Sequence, residues 1–321
     1  MATLWGFESL PRHQVLQTRI LTCPHASPVP GSEFSTLKCR PNPRIRTGLR
    51  NPIRSCVLLL CLGASLGHAE LLPLWEAGAG IGVATLPHYR GSDQSKTWVL
   101  PVPYVVYRGE SFKVDDRRFR GLLGDKLELE FSLSGSPPAK DNNARRGMPD
   151  LDATLELGPS LNIALFRPEN GMEKLELRLP VRTVFSSDFS HVKQAGWVFQ
   201  PNLSLDIKNV LGNRGWNLGL QGSLIYTDRR YNQYFYAVDP MFVRADRPAF
   251  DPSGGYGGPT FLAALSKRFA GFWIGAFAKW DGVGGAVFAD SPLIKAKSNL
   301  SGGLAIAWIV GASNVKVEAQ N

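Results

Sequence analysis

Two histidines and their neighbours are the best-placed residues for nucleophilic chemistry beyond residue 70, where His88 and His191 are the only two of their kind. His88 lies in LPHYRGSD, four residues before Ser92 and five before Asp93. An imidazole, a hydroxyl and a carboxylate so close on one loop are the ingredients of a hydrolytic triad. The same block holds Pro87, Gly91 and Asp93, residues that make tight turns, and a turn is the plainer reading. His191, in FSSDFSHVKQ beside Ser187 and Asp188, reads as a solvated loop histidine.

Other motifs are weaker. Gly254 to Gly258 (GGYGG) lacks the spacing and the Lys-Ser/Thr of a phosphate loop, and reads as a flexible connection. Asp281 to Gly285 (DGVGG) lacks the alternating carboxylates of a calcium loop. Arg229, Arg230, Tyr231, Tyr234, Phe235 and Tyr236 mix cations with aromatics, as a nucleic-acid surface would, or as an interfacial girdle with arginines for lipopolysaccharide phosphates would. The four cysteines, Cys23, Cys39, Cys56 and Cys61, all precede residue 70, which excludes thiolate catalysis, Cys-ligated metal and disulfides downstream. No catalytic residue, cofactor site or metal site is assigned, and a non-enzymatic role is expected.

The net charge of +9 suggests a nucleic-acid partner until it is divided. Of 36 basic and 27 acidic residues, eight and two fall in residues 1–69, which leaves +3 for the remainder. The charge therefore says little about a partner, and no nucleic acid is expected. Residues 54–70, RSCVLLLCLGASLGHAE, have a positive flank, an 11-residue apolar core from Cys56 to Leu66, and small residues before a cut at Glu70. That is a secretory signal, and its core falls short of the roughly 20 residues of a spanning helix. Residues 1–69 are thus read as an N-terminal extension plus signal peptide, and 70–321 as the folded body.

That body is written in period two. Lys126 to Ser134 sets Leu127, Leu129, Phe131 and Leu133 against Lys126, Glu128, Glu130 and Ser132. Lys174 to Arg182, Asn202 to Lys208 and Trp216 to Tyr226 repeat the alternation, which is a strand signal. No apolar stretch is long enough for a spanning helix, so a membrane protein of this kind must be a closed barrel. Charged and small residues on the polar faces suit a lumen. Trp75, Trp98, Tyr107, Trp197, Trp216, Tyr226, Trp273, Trp280 and Trp308, near strand ends, suit an interfacial girdle. The expected fold is an all-β, antiparallel transmembrane β-barrel of about twelve strands. They begin near Trp75, Thr97, Ser111, Lys126, Leu151, Glu173, Gly196, Gly215, Tyr231, Gly258, Phe272 and Asn299; the third and ninth are weak, so ten is the alternative. Glu128, Glu130, Glu156, Glu176, Arg178 and Arg182 should pair inside and fill the bore. SGGLAIAW, Ser301 to Trp308, resembles the C-terminal assembly signal of outer-membrane barrels, although residues 309–321 follow it.

Five blocks in order resemble the MipA/OmpV family of outer-membrane proteins: GAGIGVATLPHYRGSD from Gly78, LPVPYVVYRG from Leu100, ARRGMPDLDATLELGPSLN from Ala144, DSPLI from Asp290 and GGLAIAWI from Gly302. The resemblance implies a barrel in the Gram-negative outer membrane, among its lipids and lipopolysaccharide. It further implies a scaffold for periplasmic peptidoglycan enzymes, a lytic transglycosylase (murein hydrolase) and a murein synthase. A narrow porin-like or small-solute uptake barrel is the alternative. With the N-terminus periplasmic, a count of strands returns the connection after the fourth, Gly135 to Asp150, to the periplasm. Its Pro137, Pro138, Arg145, Arg146, Met148 and Asp150 are then the candidate partner contacts; the competing reading is that the segment only turns the chain and plugs the lumen.

Overall fold

The computed structural model describes residues 70–107, 127–168, 171–188, 190–210 and 215–319. The expected extension and signal, 1–69, and the expected third strand from Ser111 lie outside the described residues. Alternating side chains drive the described chain into strands: β1 (Glu70–Pro73), β2 (Trp75–Pro87), β3 (Ser95–Tyr107), β4 (Leu127–Ser136), β5 (Ala153–Phe166), β6 (Glu173–Ser187), β7 (Val192–Phe199), β8 (Asn202–Lys208), β9 (Trp216–Thr227), β10 (Gly255–Arg268), β11 (Phe272–Gly282), β12 (Ser298–Ala312) and β13 (Lys316–Ala319). The one α-helix among them, α1, spans Arg229–Tyr236.

Eleven of these strands form one antiparallel sheet in the order β3-β2-β12-β11-β10-β9-β7-β6-β5-β4, with β8 pairing β6 and β9. The first long strand, β2, pairs along its length with the last, β12, the joining of first and last strands that a barrel requires. β7 and β8 are halves of a single pass interrupted at Pro201, because β6 and β9 each pair with both. Ten passes are therefore found among the described residues, the smaller of the two expected numbers. Among the described residues the edges of the sheet are β3 and β4. Pro101 pairs with Ile81 and Pro103 with Ala79. A proline holds a ladder position only where its nitrogen faces away from the partner, so both nitrogens lie on the free edge of β3.

The pleat sorts side chains between interior and exterior. In β3, Leu100, Val102, Tyr104 and Val106 are buried, whereas Val99, Val105 and Tyr107 are 64%, 68% and 63% exposed. Both faces of this strand are apolar, and its inner face joins Ala84, Leu86, Trp273, Phe277, Ala305 and Ala307 in one core, with Trp98 packed against it. Trp98 and Trp273 thus point inward, against the expectation that they belong to the girdle. The opposite half of the interior, from β4 to β9, is polar. β2 and β12 also approach closely: a Cβ on Gly80 would lie 1.9 Å from the Ile306 carbonyl oxygen, and one on Gly78 2.0 Å from that of Trp308.

Past Trp308, β12 bulges between Ile309 and Gly311 and continues to Ala312. The chain then returns to its beginning. Ser313 donates to the Trp75 carbonyl (2.8 Å), Leu74 donates to that of Val315 (2.8 Å), and β13 pairs with β1. The residues after the assembly-signal-like strand are accounted for in this way, as partners of Glu70–Pro73.

Following the antiparallel ladders round the barrel, β4 runs in the same direction as β2. The connection after β4 therefore emerges at the end opposite β1 and β13, not at their end as the strand count implied. A count of strands depends on the parity of every one of them, whereas the ladders fix direction directly.

Candidate functional site

The connections after β2, β4, β9 and β11 meet at that far end and build a cap. The largest carries α1. Its N-cap, Asp228, accepts the Tyr231 N–H through its side chain at 2.9 Å, satisfying a donor the helix leaves free, and accepts the Trp197 N–H of β7 at 3.0 Å. A Cβ on Gly196 would stand 2.3 Å from that Asp228 oxygen, and Gly196 has φ 127, so only glycine fits beneath the cap. The strand expected from Tyr231 is thus a helix. Its aromatic residues favour strands on propensity, but the cap and the packing below it decide otherwise.

α1 turns Phe235 and Tyr236 inward onto Tyr89, Ala139, Leu151, Val238, Val283, Phe288 and Leu293, all buried. Tyr236 stacks on Phe288 with centroids 3.8 Å apart and planes 8° apart. Polar ties cross between connections. The Tyr89 hydroxyl donates to the Leu293 carbonyl (2.8 Å), Arg145 Nη1 to that of Phe235 (2.9 Å), and Ser291 Oγ to that of Tyr236 (2.7 Å). Tyr234 accepts the Asp152 N–H (2.9 Å). Asn299 holds the β2–β3 turn from both sides, donating to the Ser92 carbonyl and accepting the Gly91 N–H. Burial pushes the Tyr89 hydroxyl up to about 12 and raises those of Tyr231, Tyr234 and Tyr236 as well. Burial also lowers the pKa of Arg145, whose charge is met by carbonyls.

Below the cap the interior is crossed by ion pairs. Arg182 donates to Glu156 (3.0 Å), Ser132 (3.2 Å) and Gln200 (2.5 Å), joining β4, β5 and β6. Gln200 continues to Ser223, whose hydroxyl meets Thr260 of β10. Arg178 binds Glu176 (3.0 Å) and Asp206 (3.4 Å), and Lys174 also binds Glu176. Asn162 donates to Glu130 at 2.5 Å. On the other wall, Glu76 takes Arg268 and the Tyr104 hydroxyl. The expected charge pairing is found at Glu128, Glu156, Glu176, Arg178 and Arg182, Glu128 lying 3.9 Å from Arg167, whereas Glu130 takes the Asn162 amide.

The candidate chemistry does not assemble. Ser92 donates its proton to the Gln94 carbonyl and accepts from Asn142 Nδ2, which also faces His88. His191 is 74% exposed beside Asp188, whose carboxylate caps the Ser190 and His191 N–H groups. Gly255 and Gly258, with positive φ, lead the chain into β10; Asp281 ends β11 against Arg90 and Lys279. Among the described residues no cluster of three His, Cys, Asp or Glu side chains could hold a metal.

The segment proposed for partner contact serves the cap. Of its six candidate contacts, Arg145 is buried, Met148 packs on the cap core, Pro137 and Pro138 are half-buried beside Ala139, and Arg146 and Asp150 are exposed. Sequence reasoning missed Asp228, Arg247, Ser291 and Asn299. Arg247 donates to the carbonyls of Phe242, Ala144 and Arg146, a role with no sequence signature because its acceptors are backbone groups far along the chain.

A family model described as MltA-interacting protein MipA matches residues 79–310. The chain belongs to this family. No curated protein matches the chain closely enough to add to that. Three of the MipA/OmpV-like blocks, around Tyr89, Arg145 and Ser291, turn out to be spatial neighbours in the cap of this MipA-family barrel. Its exterior carries two aromatic belts. Trp75, Tyr107 and Trp308 lie near the end of the chain termini, and Trp197, Tyr226 and Trp280 near the cap, all exposed. Trp216 is half-buried, with the Lys267 ammonium 5.6 Å from its ring. Between the belts stand Ile81, Val83, Val99, Leu129, Phe131, Leu300 and Leu304, each at least 47% exposed. No described helix is long and apolar enough to cross a membrane, and a barrel crosses with strands.

Proposed function

We propose that the mature chain, residues 70–321, is an outer-membrane barrel that holds a periplasmic murein enzyme of the MltA kind by binding it, without catalysing a reaction itself. The observation that carries this reading is the family match over residues 79–310, whose description names an MltA-interacting protein. A murein synthase would be the second partner of such a scaffold. The apolar exterior between two aromatic belts supports a bilayer position, with lipid along the wall. Arg229 and Arg230, exposed at the rim of the cap, would face lipopolysaccharide phosphates. Cleavage before Glu70 would leave β1 as the first element and set it, with β13, on the periplasmic side.

On that reading a periplasmic partner meets the β1–β13 end, and the Pro137 to Asp150 connection faces outward. Capture of an MltA-type enzyme on the purified barrel tests both points. Wild type and a chain lacking Pro137 to Arg146 are expected to retain it, whereas loss of residues 313–321 should weaken it at least about fivefold, roughly 1 kcal/mol. No capture by wild type would reject the scaffold.

The alternative of a diffusion channel is disfavoured by one feature, the stacked Tyr236–Phe288 pair and its apolar surroundings across the far end. Planar-bilayer recordings of wild type should show no stable conductance steps. Discrete openings of uniform size would favour the channel.

A further inference from the structure

LPHYRGSD finds a use once its hydrogen bonds are traced. Asn142, in the connection after β4, caps a short 3-10 turn by accepting the Ala144 N–H through Oδ1 at 3.1 Å. A backbone N–H can only donate, so the orientation of the amide is fixed and Nδ2 is its donor side. Nδ2 lies 3.1 Å from His88 Nδ1 and 3.1 Å from Ser92 Oγ. Ser92 can accept because its own proton goes to the Gln94 carbonyl. His88 Nδ1 must therefore also accept, which requires a neutral ring with its hydrogen on Nε2. A second tie runs alongside, from the Asn143 N–H to Gln94 Oε1 at 2.6 Å.

We propose that His88 is an acid-sensitive latch between the β2–β3 turn and the connection after β4: a proton on Nδ1 turns its acceptor into a donor aimed at the Asn142 amide, and weakens the hold of the turn on that connection, which the Ser92 and Gln94 bonds then keep alone. The remaining ties of the cap do not change with it. Tyr89 to Leu293, Arg145 to Phe235 and the Tyr236–Phe288 stack hold no group that titrates near neutrality, so acid loosens one connection and leaves the barrel closed.

The surroundings set the direction. Asp93 on the same turn favours the proton, while partial burial and Lys96 of β3 oppose it more strongly and hold the histidine below its ordinary value of 6.5. Tyr89 and Arg90 flank it on the turn; Lys140, Asp141 and Arg145 flank Asn142; Lys295 of the connection after β11 reaches the same turn through its N–H to the Gly91 carbonyl. A histidine depressed in the folded state is protonated first in the opened one. The latch thus contributes fully above about pH 6.5 and is lost as pH falls below it.

Amide exchange of the barrel in detergent micelles, corrected for intrinsic rates, tests this at pH 7.5 and pH 5. Ala139 and Leu151 report directly, since each donates to the other's carbonyl. In wild type their protection should fall several-fold at the lower pH, because the opened connection takes up the proton first. His88→Gln, whose side-chain oxygen still accepts from Asn142 but does not titrate, should show no such fall. Equal protection of wild type at both pH values overturns the latch, as does an unchanged fall in His88→Gln. A nitrogen-15 spectrum of wild type decides without any variant: at pH 7.5 the ring should carry its proton on Nε2, and a proton on Nδ1 overturns the proposal.

Discussion

A barrel carrying Gly80→Val should fail to close. The first added carbon would sit 1.9 Å from the Ile306 carbonyl oxygen and 2.4 Å from the Ala307 Cα, and both belong to the backbone of β12. A side chain could swing away; a ladder strand cannot. Relief requires β2 to part from β12 over the stretch where Gly78 and Gly80 face it, which removes several ladder bonds at the closure of the sheet. A cost above about 4 kcal/mol follows, beyond the ordinary run of single substitutions. Urea unfolding in detergent and the heat-dependent shift of the folded band in electrophoresis would measure it. Gly271→Ala is the control, since nothing lies within 4 Å of a Cβ there and its effect should stay within about 0.5 kcal/mol. A Gly80→Val barrel that unfolds like wild type would contradict the close approach of β2 and β12.

The second large effect is expected inside. Arg182 is 3% exposed and is the cation that meets Glu156, at 3.0 Å. Arg182→Met leaves that carboxylate, Ser132 and Gln200 facing an apolar side chain. Breaking one side of a buried pair costs about 3–5 kcal/mol, because the partner stays charged and unsolvated. Arg182→Met with Glu156→Leu should recover more than half of the loss, since removing both charges removes the desolvation penalty as well. Midpoints of urea unfolding for wild type, both single variants and the double variant form the cycle. An Arg182→Met midpoint equal to wild type would show that the pair is solvated.

Much of the wall was legible because one face of many strands is polar and the other apolar. Lys126 to Ser134 became β4, Asn202 to Lys208 became β8, and Trp216 to Tyr226 became β9 with little change of boundary. The strand expected near Thr97 became β3, but which of its faces points inward was not legible: β3 is apolar on both, one toward Trp273 in the interior and one outward. The girdle reading erred at Trp98 and Trp273 for the same reason. Without alternation, a sequence does not say which face is which. The cap was the least legible part. Tyr231 to Tyr236 has strand-forming residues, and only the Asp228 cap and the fit onto Phe288 and Tyr89 make it helical. The side on which Pro137 to Asp150 emerges depends on the parity of every strand before it, which only the ladders reveal. His88, Ser92 and Asp93 have the side chains for chemistry, yet the residue that meets His88 and Ser92, Asn142, lies some fifty positions away.

The pairing of β2 with β12, and of β1 with β13, also governs the order in which the protein can be made. β2 forms a hairpin with β3 early, but its other edge waits for Gly302 to Ala312, and Glu70 waits for Ala319. The most sequence-distant contacts in the molecule are thus those that complete it, and contacts of this kind make folding slow. Until the last strand is in place, β2 presents an open strand edge of the sort that aggregates. Release from any factor that shields that edge should coincide with arrival of the final strand.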